Sequence, residues 1–200
     1  SGPGSLRAAI EEANTTAGAD RITFNIPGTG TQRIILASNL SIVSETVSIE
    51  GGSQTGFSGS PLIEIQAFDN GFVFQNAPGS SVSDLAIFSG TGDGITINSS
   101  EGTEIERTIL GTDAYGSTQN LGFTGNGIII NESSTTSLLN NVISGNTIGI
   151  QVINSSQDIR LIGNIIGLAA DEQSAIPNDT GIQISQSNNP TISRNSIAGN

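Results

Sequence analysis

The sequence predicts an all-β chain wound as a right-handed parallel β-helix, a solenoid of short stacked strands with an N-terminal capping helix. Three observations carry this: a Gly-Ile-x-Ile signature that returns at fixed steps, two further apolar columns with matching steps, and a composition made for many tight turns.

The signature reads Gly94-Ile95-Thr96-Ile97, Gly127-Ile128-Ile129-Ile130, Gly149-Ile150-Gln151-Val152 and Gly181-Ile182-Gln183-Ile184, with an aromatic version at Gly71-Phe72-Val73-Phe74. Its first apolar position advances by 23, 33, 22 and 32 residues. The base unit is therefore 22 or 23 residues, with about ten added in alternate units. A unit this short cannot bury its own apolar side chains. Stacking units as parallel coils ~4.8 Å apart turns each recurring position into an interior row. The x positions Val73, Thr96, Ile129, Gln151 and Gln183 face outward, because strand side chains alternate. Parallel crossovers are strongly right-handed, which sets the hand.

Val82, Ile105, Leu138, Leu161 and Ile192 form a second column, and Ile87, Leu110, Ile143, Ile166 and Ile197 a third, both stepping by 23, 33, 23 and 31. Between them run Leu85, Thr108, Asn141, Asn164 and Asn195. Asn141, Asn164 and Asn195 are read as a structural ladder. Asn tolerates the left-handed backbone of a sharp bend, and stacked amides bond along the axis.

A solenoid end needs a block. Ser5 is a suitable N-cap, and Leu6, Ala9, Ile10 and Ala13 share one helical face, so about residues 5–20 form the cap. Gly18 ends it, and Arg21 to Ile26 reads as the first alternating strand. Ile34-Ile35-Leu36, Leu40-Ser41-Ile42, Val47-Ser48-Ile49 and Leu62 to Ile65 continue the winding. Residues 1–200 thus make a single domain with coils over 21–200. No block follows Ile197, so a fragment of a longer protein is expected, its open end meeting further coils of the same chain or another copy. The added residues of alternate units form two long loops, Gly111 to Gly127 and Gly167 to Gly181. They leave one edge two coils apart, roughly 10 Å, where a solenoid usually binds.

Composition narrows the chemistry. There is no Cys, Met, His, Lys or Trp, and one Tyr. Disulfides, thiolate metal sites, Cys nucleophiles and Ser-His-Asp triads are excluded. The net charge of −12, with every cation an Arg, disfavours nucleic acid and anionic membranes. No apolar run is long enough for a membrane span, so no membrane insertion is expected.

Several segments resemble a known group. Gly4 to Ile10 through Ala13-Asn14, followed by Asp20 to Phe24, looks like the start of large bacterial extracellular β-helix proteins. Ile109-Leu110-Gly111-Thr112-Asp113-Ala114-Tyr115-Gly116 is similar to the loop motif of their repeats. Asn164-Ile165-Ile166-Gly167 opens a second copy, which departs from the motif at Leu168-Ala169-Ala170. The resemblance covers most of the chain and is to parallel β-helix repeat proteins of the pectin-lyase-like superfamily. It implies an extracellular or cell-surface location, and polysaccharide or cell-surface components as partners. Some of these proteins are adhesins, others polysaccharide lyases or hydrolases.

Polygalacturonase-type chemistry needs a Gly-His-Gly and an Arg-x-Lys, which a chain without His and Lys does not have. A Ca²⁺-dependent lyase needs carboxylates and an Arg, for which Arg107 with Glu104 and Glu106, or Arg160 with Asp158, are the candidates. The repeat places Arg107 and Arg160 at different positions, so no catalytic residues are assigned and a non-enzymatic role is favoured. Asp113, Tyr115 and Phe123 in the first long loop are the ligand-binding candidates. The competing reading folds Tyr115, Leu121 and Phe123 down onto the solenoid wall. Asp113, Asp171, Glu172 and Asp179 are the candidates for Ca²⁺, although no Asp-x-Asp-x-Asp-Gly loop is present. No other cofactor is expected. The functional expectation is a structural or adhesive module of a large secreted or surface protein. The alternatives are a Ca²⁺-dependent lyase fragment and a carbohydrate-binding module.

Overall fold

The computed structural model describes residues 2–200 and shows the predicted solenoid. Ser5 caps α1 (Leu6–Ala13), its hydroxyl accepting the Ala8 N–H at 3.2 Å. Leu6, Ile10 and Ala13 are buried against the first coil and join the main apolar core. Arg7 donates to the carbonyls of Ser38 and Asn39, which fastens the cap to the wall.

Three parallel sheets form the wall. Sheet A stacks β1 (Asp20–Thr23), β3 (Val47–Glu50), β6 (Ser81–Ser83), β9 (Glu104–Glu106), β12 (Ser137–Leu139), β15 (Arg160–Ile162) and β18 (Thr191–Ser193). Sheet B stacks β2 (Gln32–Ile35), β4 (Ile63–Gln66), β7 (Leu85–Phe88), β10 (Ile109–Leu110), β13 (Val142–Ile143), β16 (Ile165–Ile166) and β19 (Ser196–Ile197). Sheet C stacks β5 (Phe72–Gln75), β8 (Ile95–Asn98), β11 (Asn126–Asn131), β14 (Ile148–Ile153) and β17 (Thr180–Ile184).

The register follows the sequence columns. Phe72, Ile95, Ile128, Ile150 and Ile182 are successive partners in sheet C. Val82, Ile105, Leu138, Leu161 and Ile192 are partners in sheet A. Ile87, Leu110, Ile143, Ile166 and Ile197 are partners in sheet B. All but the last-coil residues Ile182, Ile192 and Ile197 are buried. The glycine of the signature has a steric cause: a Cβ on Gly71, Gly94 or Gly149 would lie within 2.5 Å of the carbonyl oxygen of the glycine one coil on. Neighbouring coils approach too closely there for any side chain.

Two early segments differ from the expected strands. The first strand stops at Thr23, because the side chains of Ser53 and Gln54 accept the N–H groups of Phe24 and Ile26 that a longer strand would have paired. Leu40-Ser41-Ile42 is not a strand. The amide of Asn14, at the end of the cap, bonds the Ile42 carbonyl and the Ser44 N–H instead.

The asparagine column bonds along the axis but does not supply the left-handed bend. Asn141 donates its N–H and its amide to the Asn164 Oδ1, each at 3.0 Å. Asn164 does the same to the Asn195 Oδ1. Each amide also donates to a backbone carbonyl of the previous coil, Ile105, Leu138 or Leu161. The left-handed residues are those just before, Asn140 (φ 54°), Gly163 (φ 72°) and Arg194 (φ 58°). The bend is therefore made one residue earlier, and the asparagine is held to satisfy buried backbone groups. Two further ladders escaped the sequence reading. Asn146, Asn178 and Asn200 repeat the arrangement at the corner between sheets B and C. Ser100, Ser133 and Ser156 do so between sheets C and A.

Asn141→Ala leaves the N–H of Thr108 without a partner inside the wall and removes one of the bonds to the Ile105 carbonyl. Such an orphan costs about 1–3 kcal/mol, so urea denaturation should show a loss of at least that size. Gln183→Ala, on the outer face, should stay within about 0.5 kcal/mol of the parent.

Candidate functional site

The corner between sheets A and B is where charged and aromatic side chains gather. Its turn residues are left-handed, which swings their side chains outward: Asp84 (φ 58°), Arg107 (φ 45°) and Asn140 (φ 54°) occupy equivalent places in three successive coils. Arg107 donates Nε to Asp84 Oδ1 at 2.7 Å and Nη2 to Asp84 Oδ2 at 3.0 Å. Its Nη1 meets Glu106 Oε1 at 2.5 Å. Asp84 is nearly enclosed, whereas the Arg107 side chain is 45% exposed. The hydrogen bonds to Asp84 raise the Arg107 pKa above its ordinary value, against partial burial, and Glu106 adds to the rise. In the same way Glu50 raises the pKa of Arg21 on the outer face of sheet A.

Two clefts adjoin Arg107. One, of about 440 Å³, runs over sheet A and includes Glu104, Glu106 and Phe57 in its lining. The other, of about 280 Å³, lies over sheet B between Pro61, Asn140, Val142 and Tyr115. The outer face of sheet B is apolar here: Ala86, Ile109 and Val142 are buried beneath Ala114, the start of the first long loop. Glu64 ties that loop down, its Oε1 accepting the Ala114 N–H at 3.0 Å while Oε2 meets Arg33 at 2.7 Å. Arg33 itself lies over the Phe88 ring, 5.2 Å from its centre. The two long loops bond to each other, Ala170 N–H to the Gly116 carbonyl at 2.9 Å and the Gln119 amide to the Ala175 carbonyl at 3.3 Å.

The ligand candidates of the first loop are placed apart. Tyr115 is 73% exposed, while Phe123 is 2% exposed and belongs to the main core. Asp113 is a turn residue: its Oδ1 accepts the N–H groups of Ser117 and Thr118, and its Oδ2 accepts the Thr118 hydroxyl at 2.7 Å. Burial acts to raise its pKa, but the bonds from Thr118, Ser117 and Tyr115 outweigh it and hold the carboxyl below its ordinary value. Asp171 accepts the Gln173 N–H, Glu172 accepts the Ser196 hydroxyl, and Asp179 is exposed. Among the described residues no three Asp or Glu side chains gather to hold a metal ion, so these four acids do not form one Ca²⁺ site. Arg160 lies two coils from Glu104, with Ser137 between them. Asp84 was missed in the sequence. It precedes Leu85 as Arg107 precedes Thr108, and that shared column position was the signal.

Residues 33–200 match the family described as periplasmic copper-binding protein (NosD). The chain belongs to the NosD family. No curated protein matches it individually. Copper in the description is tested by the donors available. Cu(I) takes thiolate and thioether, and Cu(II) favours imidazole. This NosD-family chain has no Cys, Met or His, and no acidic cluster replaces them among the described residues. Its residues do not fit a copper centre.

Removing the loop tie has a measurable result. Glu64→Ala should speed amide exchange over residues 113–118 about tenfold or more, since a hydrogen bond to a charged acceptor is worth about 1.5–3 kcal/mol. Asp113 makes the same turn pH-sensitive. Its folded-state pKa lies below the ordinary 3.8, so its support is complete at neutral pH and is lost as acidification passes through the folded-state value. Exchange at Ser117 and Thr118 should accelerate in that acid range after correction for intrinsic rates, and Asp113→Asn should abolish the dependence.

Proposed function

We propose that this chain is a non-catalytic β-helix module, structural or adhesive, of a protein exported from the cytoplasm. One observation carries the reading. Arg107, the best candidate for a lyase base, is held by both arms of a nearly enclosed Asp84, and its pKa moves away from the range in which it gives up a proton. Glu106 is tied to the same guanidinium. Export is supported by the family, whose description places NosD in the periplasm. The one helix of the cap is far too short to cross a membrane.

Incubation with homogalacturonan or alginate, with and without Ca²⁺, should release no unsaturated uronide above a blank, and saturable release would overturn the reading. Chelation should leave the unfolding midpoint unchanged, because no described cluster of carboxylates holds a cation in the fold. A fall in midpoint on chelation, restored by Ca²⁺, would contradict this.

A further inference from the structure

We propose that two copies of this chain pair face to face through the outer surface of sheet A, with their solenoids antiparallel, about a two-fold axis that runs along β12. The pairing does not rest on the non-catalytic reading, and either can fail without the other.

The first support is the order of charges along that surface. One outward row, read down successive strands, is Ser81, Glu104, Ser137, Arg160 and Thr191. The corner beside it presents Asp84, Arg107, Asn140, Gly163 and Arg194, all left-handed. Acids gather on the coils of β6 and β9, where Asp84, Glu104 and Glu106 outnumber Arg107. The coils of β15 and β18 carry Arg160 and Arg194, with no acid in either row. Between the two signs lies the neutral coil of β12, with Ser137, Leu139 and Asn140.

The second support is that these charges are left over within one copy. Arg21, Arg33 and Arg107 are paired with acids. Glu104, Arg160 and Arg194 are exposed, and none joins an ion pair among the described residues. Glu104 and Arg160 stand two coils apart, ~10 Å, with the small Ser137 between them.

The third support is symmetry. A two-fold along the solenoid axis would set Glu104 against Glu104 and Arg160 against Arg160. A two-fold along β12 instead reverses the order of coils in the second copy and keeps each row over itself. Glu104 then faces Arg160 of the second copy, and Asp84 faces its Arg194, each contact occurring twice as an isologous interface requires. The cleft of about 440 Å³ over sheet A, lined in part by Ser81, Ser83, Asp84, Glu104 and Glu106, receives those two arginines. Leu139 meets its own counterpart on the axis. Glu106, opposite Ile162, stays tied to Arg107. At the other corner of sheet A, Asp158 comes over Gly102 and Glu101 over Gln157, so no two acids lie directly opposite. Such complementarity fixes register and orientation more than it adds affinity. Five strands of three residues make a face roughly 20 Å long and 10 Å wide, below the ~800 Å² per partner of a standard interface, so the association is weak.

Sedimentation velocity on the 200-residue chain, over concentrations reaching the millimolar range, should show a monomer–dimer equilibrium. Arg160→Glu and Glu104→Arg should each weaken the dimer about tenfold or more, because the symmetry counts every charge reversal twice. Both side chains are exposed, and circular dichroism confirms that the variants fold. The decisive sample is an equimolar mixture of the two variants. It should recover dimers of parent strength, since each variant offers the sign that the other lacks. The doubly reversed chain, Glu104→Arg with Arg160→Glu, should likewise pair with itself. A monomer at every concentration would overturn the proposal. So would a dimer indifferent to both substitutions, as end-to-end stacking of solenoids would be, or a mixture of variants that stays monomeric.

Discussion

Everything in this molecule depends on the register between coils. A coil of 22 or 23 residues has too few side chains to enclose its own apolar ones, so the interior exists only where neighbouring coils align. Alignment also settles the polar accounts. At each corner the strands stop pairing briefly, and backbone N–H and C=O groups would be left inside a low-dielectric wall. The ladders through Asn141, Asn146 and Ser133 fill those gaps, each side chain accepting an N–H from one coil while the same residue's backbone N–H donates to the side chain of the next. A slip of one residue would turn the aliphatic rows outward and break all three ladders together.

Corners and loops decide what the wall presents. The left-handed residue before the asparagine ladder aims its side chain outward, which brings Asp84 and Arg107 into a pair from adjacent coils. The long loops do not project as free arms. The first is drawn onto the apolar outer face of sheet B by Ala114 and Glu64, and the second bonds to the first. The outcome is a stiffened corner whose exposed ring, Tyr115, stands on a fixed base.

Membership of the NosD family accounts for the architecture, while the chemistry has to come from the side chains. A β-helix has the same interior whatever its outer residues do, and this chain lacks the soft and imidazole donors that copper prefers. Arg21, Arg33 and Arg107 are paired with Glu50, Glu64, Asp84 and Glu106. The pairs Arg21–Glu50, Arg33–Glu64 and Arg107–Asp84 each join neighbouring coils.

The sequence by itself determined the winding, the order of the rows and the cap, because repeated burial in one direction leaves a period that a single chain displays. Phe72 to Ile182 could be aligned from steps alone, and so could the place where both long loops depart. The same columns held the Asp84–Arg107 pair and the ladders at Asn146 and Ser133, which a reading limited to apolar positions passed over. Only the tertiary structure decided that Phe123 goes inward while Tyr115 stays out, that Glu64 anchors a loop 50 residues away, and that Asp113 serves a turn. Those outcomes rest on how irregular segments pack across coils, where neither strand alternation nor repeat spacing constrains a side chain, and contacts between distant residues choose its direction.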